Sequence, residues 1–426
     1  MKKQVTFFCS LFIAAALLVG VTSCKKDTAT TPFTLSTLVA QLAGGNIDLN
    51  GATSANNVPA NPIIVATFSL SVNAASVTSS NITLLRDWDQ KFIPLTVTTV
   101  GASITIVPNE ELGNGALFTL TFPVVTATDG QSVPGFVRTF TTIGTFVPTG
   151  QVAYWNFENN ANDQVGTYNA DSLVNITYTA SYKTTAGMAA TFDGTTSIIE
   201  IPNADQLSNT AALSLCFWVK TNSAGHVDAN GNPKGHFIFG LGAFHGYDFE
   251  ISGGYDNCKL GATYDCGVGT NAHDLAFNGD GLYNNTAQGW KACTYCKLLT
   301  PTPAEGMAAL LKDKWTSFVF VFNGPTKVAT LYINGEKMKE EDFNLADPTL
   351  NAAVGLEWNG VAPEVYPRLA FGFVQSRQGT LWATQSWGGY TLPTSNHFGG
   401  QLDDVRIFHR ALTATEIDLM YASEKP

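Results

Sequence analysis

Four cysteines, Cys258, Cys266, Cys293 and Cys296, fall within 39 residues of one another. Outside the cytoplasm such a cluster would form two disulfides, with three possible pairings. The spacing Cys293-Thr294-Tyr295-Cys296 also suits a zinc knuckle, in which all four thiolates would bind the metal. Free thiols are the third possibility. Disulfides are the expectation, each stabilising its loop by about 3 kcal/mol on the chain-entropy account. A fifth cysteine, Cys216, sits in the apolar run Leu213 to Val219 and reads as an inert core thiol.

Six aromatic residues form a second set with chemistry in reach. Trp358, Trp382, Trp387 and Tyr390 lie in a Trp-, Gly- and Pro-rich stretch, 345–397, and Trp290 and Tyr295 lie in the cysteine-bearing stretch, 255–313. Flat aromatic faces stack on the apolar faces of sugar rings, while nearby Asn, Gln and Ser bond the hydroxyls. The alternative for any one ring is that it fills a small loop core. Both stretches read as long loops, which in compact domains are usually functional.

Asp403 alternates with Val405 and Ile407, so it is expected to point inward, where a carboxylate needs a cation or several donors. Glu416-Ile417-Asp418 superficially resembles the Glu-x-Asp of jelly-roll glucanases, but the third acid is missing and the pair lies on a terminal helical turn. Two carboxylates at suitable separation run glycoside hydrolysis; this pair is not placed to do so. His245, His273, His397 and His409 form no HExxH pair, and no Gly-x-Ser-x-Gly elbow occurs. The chain is therefore not expected to be an enzyme.

The elements that must position these residues read as strands. Only 13% of the 426 residues are charged and 45% are hydrophobic, the profile of an all-β secreted protein. Lys2 and Lys3 precede an apolar run, Phe7 to Gly20, too short to span a bilayer comfortably. Residues 1–23 are a signal segment, and Val21-Thr22-Ser23-Cys24 resembles a bacterial lipobox with Cys24 as the lipidated residue. Lys25, rather than Asp, follows it, which in lipoproteins of this kind implies the outer membrane or cell surface. Residues 24–32 read as a tether. Without residues 1–23, which hold two lysines and no acid, 34 acidic and 21 basic side chains remain, a net charge of about −13. That balance argues against nucleic acid.

Residues 33–147 carry short strands at regular intervals, among them Ile63 to Phe68, Ser103 to Val107, Phe118 to Phe122 and Val137 to Thr142, separated by Asn61-Pro62, Gly113-Asn114-Gly115 and Asp129-Gly130. The order of these pieces resembles the bacterial Ig-like domains of S-layer and other surface proteins, which implies an antiparallel sandwich serving as a spacer.

Residues 150–426 follow a Pro148-Thr149-Gly150 linker. Val152 to Glu158, Phe192-Asp193-Gly194, Phe217-Trp218-Val219, the strand from Trp315 leading to the Asn334-Gly335 turn, and Leu402 to Ile407 occur in order. Asn-Gly is a strong hairpin signal because both residues tolerate positive φ. Thr413 and Glu416 form a capping box for the last helical turn. As a set these pieces resemble the laminin-G-like, concanavalin A-like jelly roll. The resemblance implies a binding module, with a structural Ca²⁺ held by acids of the first loop and last strand, here Asp163, Asp403 and Asp404; oxygen ligands suit that ion. The expectation is an all-β surface lipoprotein that binds a glycan through its loops, or alternatively a protein-binding adhesin or accessory subunit of an outer-membrane assembly.

Overall fold

The computed structural model describes residues 30–426 except 43, 52, 283–291 and 347–348. The signal segment, Cys24, most of the tether and Trp290 lie outside the described residues. No described helix is long and apolar enough to cross a membrane.

The chain is almost wholly β and forms two sandwiches in succession. In the first, Ile63–Phe68 and Leu117–Phe122 alternate strictly. Ile64, Ala66 and Phe68 from one face Phe118, Leu120 and Phe122 from the other across the core. Five of their six outward positions, Ile63, Val65, Thr67, Thr119 and Thr121, are β-branched residues that fit a pleated surface, and the sixth is Leu117. Ile63–Phe68 lies between Leu35–Gln41 and Ser103–Pro108 in one sheet; Leu117–Phe122 lies between Phe136–Thr142 and Thr83–Arg86 in the other.

The second sandwich has a larger sheet centred on Gly399–Phe408, Ala212–Thr221 and Thr316–Asn323, and a smaller one whose strands run in the order Ser172–Val174, Ile198–Ile201, Leu369–Phe371, His236–Leu241, Tyr247–Ile251, Cys258–Asp265 and Thr270–Phe277. Phe217 on the larger sheet is the hub of the core: its ring centroid lies 5.0 Å from that of Phe239, 4.9 Å from Phe249 and 5.3 Å from Phe318. Such aromatic pairs contribute about 0.5–1.5 kcal/mol each beyond the area they bury.

The terminal helix, Ala414–Glu424, opens with the expected capping box. It buries Ile417 and Met420 in the same apolar cluster as the first sandwich, joined there by Cys216, Val319, Val321 and Phe408 of the larger sheet. The two sandwiches are thus fastened through a shared apolar seam.

Three expectations need correction. The described part of 255–313 is not one long loop: Cys258–Asp265 and Thr270–Phe277 are strands of the smaller sheet, Cys293–Cys296 pairs with Glu336–Asp342, and Pro303–Leu311 is a helix. Alternation of Cys258, Leu260, Ala262 and Tyr264, all buried in the core, makes the first of these strands. The clustered cysteines form no disulfide; all five described cysteines are buried free thiols. Cys258 opens one extended strand and Cys266 follows its far end, so at about 3.3 Å per residue the two are much too far apart to be bridged. The Cys293 thiol instead donates to the Tyr295 carbonyl at 3.4 Å and the Cys296 thiol to Asp280 Oδ1 at 3.8 Å. Finally, Asp403 does not share a face with Val405. The register against Ala212–Thr221 slips between the Cys216–Arg406 and Trp218–Asp403 pairs, and Asp404 takes a left-handed φ of 48°. This bulge turns Asp403 and Asp404 toward the side of Arg406, while Leu402, Val405 and Ile407 keep the core side.

Candidate binding site

The predicted aromatic residues separate into two groups. Trp358 packs on the core edge, with its backbone amide donating to Asn209 Oδ1 at 2.7 Å. Tyr390 donates its hydroxyl to the Thr196 carbonyl at 2.5 Å and sets its ring edge-on to Phe373. Tyr295 lies on the edge strand beneath the Lys337 ammonium. These three serve local packing.

Trp382 and Trp387 come together, their centroids 4.9 Å apart at 56°. Phe244 lies 5.9 Å from Trp382, and Phe237 lies 6.1 Å from Trp387. The loop that carries the tryptophans folds back over the outer face of the smaller sheet. Phe373, Val374, Leu381, Trp382 and Tyr390 pack there in a small third core against Ile198, Phe237 and Ala370. Asn396 pins the loop: its carbonyl accepts from Phe237 N at 2.8 Å and its side-chain oxygen from Gly235 N at 2.9 Å. Trp382 itself takes a left-handed φ of 61°. Such a backbone costs a bulky residue about 1 kcal/mol or more and persists only where its surroundings impose it.

The two rings form one wall of a cleft of about 420 Å³, lined also by Phe237, Phe244 and Asn396. Its floor is the smaller sheet. Tyr247, Phe249 and Ile251 point into the sandwich core, so Asp248 and Glu250 between them point out into the cleft. By the same alternation Lys259 and Asp274 face outward from the next two strands. Asp248 is in register with Gly261, and Gly261 with Asp274. A Cβ on Gly261 would lie 2.8 Å from Asp248 Oδ1 and 2.9 Å from Asp274 Oδ1, so these oxygens are within about 5.7 Å of each other. Glycine there leaves room for both carboxyl groups.

The charges on this floor are unevenly served. Lys259 Nζ lies 2.8 Å from Asp274 Oδ2 and 3.2 Å from Glu250 Oε1. Burial opposes its charge, but Glu250 and Asp274 outweigh burial and raise its pKa. Burial raises the Glu250 pKa, with Lys259 opposing. Asp248 is 5% exposed, and among the described residues no group donates a hydrogen bond to its carboxyl. Burial first, then the Glu250 and Asp274 carboxylates, hold it well above the usual carboxylate range. A carboxyl whose burial favours the protonated form, with no donor among the described residues, therefore lines the cleft.

The acids expected to hold Ca²⁺ have other partners. Asp163 accepts from the backbone amides of Tyr154 at 2.9 Å, Val165 at 3.0 Å and Tyr168 at 3.1 Å, and so shapes its own loop. Asp404 accepts from the hydroxyls of Tyr154 and Tyr182, each at 2.5 Å, and pairs with Arg406 at 3.0 Å. Asp403 accepts from Ser181 and from the Asp404 amide. Its pKa is pushed up to about 9 by burial and then by Asp404. Among the described residues no group of three or more His, Cys, Asp or Glu side chains converges to hold a metal ion.

Asp248, Glu250, Lys259 and Asp274 were missed by the reading of the sequence. Their signal was the alternation Tyr247-Asp248-Phe249-Glu250-Ile251, a strand polar on one face only. A further concavity of about 540 Å³, lined by Thr179, Lys220, Asn222, Asp313 and Gln401, offers Phe192 as its one aromatic ring.

A family model described as a bacterial Ig-like domain matches residues 47–142. No curated protein matches the chain. Among solved structures the chain is similar to the binding domain of botulinum neurotoxin serotype D (16% identity, TM-score 0.39, covering 65% of this chain and 51% of that one). It is also similar to the receptor-binding domain of botulinum neurotoxin type G (14%, 0.37, 64% and 51%). A third is the serotype D ligand-binding domain crystallised with N-acetylneuraminic acid (14%, 0.39, 65% and 51%). The alignments span about half the length of those chains.

Proposed function

We propose that this chain binds carbohydrate in the cleft between the Trp382–Trp387 wall and the Asp248–Glu250–Asp274 floor. One observation carries the reading: two adjacent indoles stand over a row of carboxyl groups, with the Asn396 amide beside them. Indole faces take the apolar face of a pyranose, while carboxylates and an amide take its hydroxyls. In the same proposal the second sandwich is laminin-G-like, the Ig-like sandwich is a spacer, and lipid on Cys24 tethers both at the outer membrane or cell surface. The lipobox-like Val21 to Cys24 supports that anchorage.

Affinity electrophoresis against a panel of neutral, amino and acidic polysaccharides tests the cleft. At least one polysaccharide is expected to retard the wild-type chain, and Trp382→Ala with Trp387→Ala to abolish the retardation. No retardation by any member removes the reading and favours a protein ligand instead.

A second reading rests on Asp248 Oδ1 and Asp274 Oδ1 lying no more than about 5.7 Å apart across Gly261. In retaining glycoside hydrolysis two carboxyl groups about 5–5.5 Å apart serve as acid and nucleophile. Asp248 would be the acid and Asp274 the nucleophile. Reducing-end release from the retarding polysaccharide, lost in Asp274→Asn, would establish it. Binding without release leaves a binding module.

A further inference from the structure

The floor of the cleft carries three carboxyl groups and one ammonium. Lys259 is spent on Glu250 and Asp274, and it does not bond Asp248. Every charged group facing Asp248 is accounted for: Glu250 on its own strand, Lys259 on the next and Asp274 on the one beyond. In register with it, Gly240 and Gly261 stand on either side and bring no side chain. A buried carboxyl with no donor is costly to ionise and costly to leave unmet. The partly exposed rings of Phe244, Trp382 and Trp387 stand around the same space, with the buried Phe237 ring behind them. Electron-rich faces beside an underserved carboxyl are the combination that attracts an organic ammonium group.

We propose that the cleft selects a positively charged ligand, specifically a glycan of amino sugars whose free ammonium group sits at Asp248 against the Trp382–Trp387 wall. This rests on the carbohydrate reading and sharpens it. The incoming ammonium supplies the missing donor, and Asp248 gives up its proton to solvent on binding. N-acetylation removes the ligand's charge, and acidic sugars meet repulsion from Glu250 and Asp274.

Glucosamine oligomers and their N-acetylated counterparts of equal length form a matched pair of probes. Calorimetry on the full chain at about pH 6, below the ordinary range of an amine, compares them. The glucosamine oligomer is expected to bind at least tenfold more tightly, with a heat that varies with buffer ionisation because a proton is released. Asp248→Asn combined with Asp274→Asn is expected to erase the preference. Lys259→Met, which frees two carboxylates, is expected to enlarge it and serves as the control if the double variant does not fold. Equal or tighter binding of the N-acetylated oligomer overturns the inference while leaving the carbohydrate reading intact. Binding of neither oligomer, when another polysaccharide retards the chain, overturns it too. No binding by any member of the panel takes both away.

Discussion

The second sandwich holds two acid clusters, each built around one cation, one of them buried and the other partly exposed, and they have opposite fates. Around Arg406, every acid is served. Asp404 takes two tyrosine hydroxyls and the guanidinium; Glu424 takes the other guanidinium nitrogen and the Trp218 indole N–H at 2.8 Å. The Tyr182 and Trp218 rings, each a donor to one of these acids, stack on each other at 4.3 Å, and Glu424 comes from the terminal helix. Around Lys259, Asp248 has no donor among the described residues and opens into a cleft. Carboxylates alone therefore do not mark a binding site. What separates the two clusters is whether the fold has already supplied the donors; where it has not, a ligand can.

The largest expected effect breaks the first cluster. Arg406→Met strands Asp404 and Glu424 without their cation, and removing one partner of a buried pair costs about 3–5 kcal/mol. Urea unfolding measures it; a loss below about 1 kcal/mol would mean that Arg406 is no more structural than Lys259.

Next in size is the ligand response of the second cluster. Trp387 is 38% exposed, so Trp387→Ala should lower glycan affinity about tenfold or more while changing stability by less than about 1 kcal/mol. Equal losses of affinity and stability would make it a packing residue like Tyr390.

Asp248→Asn separates the clusters by pH. The wild-type carboxyl keeps its proton in the fold well above its ordinary value of 3.8. The unfolded chain then binds fewer protons than the folded one, so this residue makes stability fall as pH rises from about 4. Asparagine removes that dependence. The variant should match the wild type in acid and exceed it in melting temperature near neutrality. A variant less stable at neutral pH would show that Asp248 is ionised and already partnered.

The smallest effects concern reagents. Since all five described cysteines are thiols, a reductant should leave the melting temperature unchanged, and a fall would reveal a disulfide. The donors already spent on Asp163 and Asp404 give the same expectation for a chelator; a drop of several degrees would restore Ca²⁺ to those acids.

Much of the scaffold could be read from residue order. Ile63 to Phe68 and Phe118 to Phe122 were legible as strands because short β-favouring runs are set between turn residues, and in the fold each buries every second residue. The Thr413–Glu416 box was local chemistry, complete within four residues, and appears as read. Trp382 and Trp387 were recognised as a possible platform by type and neighbourhood; their pairing was not visible. Asp403 was misplaced because a bulge adds one residue and reverses the alternation beyond it, and nothing in Leu402 to Ile407 announces the slip.

Sequence by itself determined the class of fold, the alternating faces and the caps, since each depends on neighbours two to four residues away. Only the tertiary structure decided which acids meet which donors. Asp248 and Asp274 are 26 positions apart and meet across a glycine; Tyr182 and Asp404 are 222 apart, and the tyrosine hydroxyl donates a hydrogen bond to the carboxylate. Whether a carboxyl is satisfied or left open depends on contacts between distant strands, and periodicity carries no record of them.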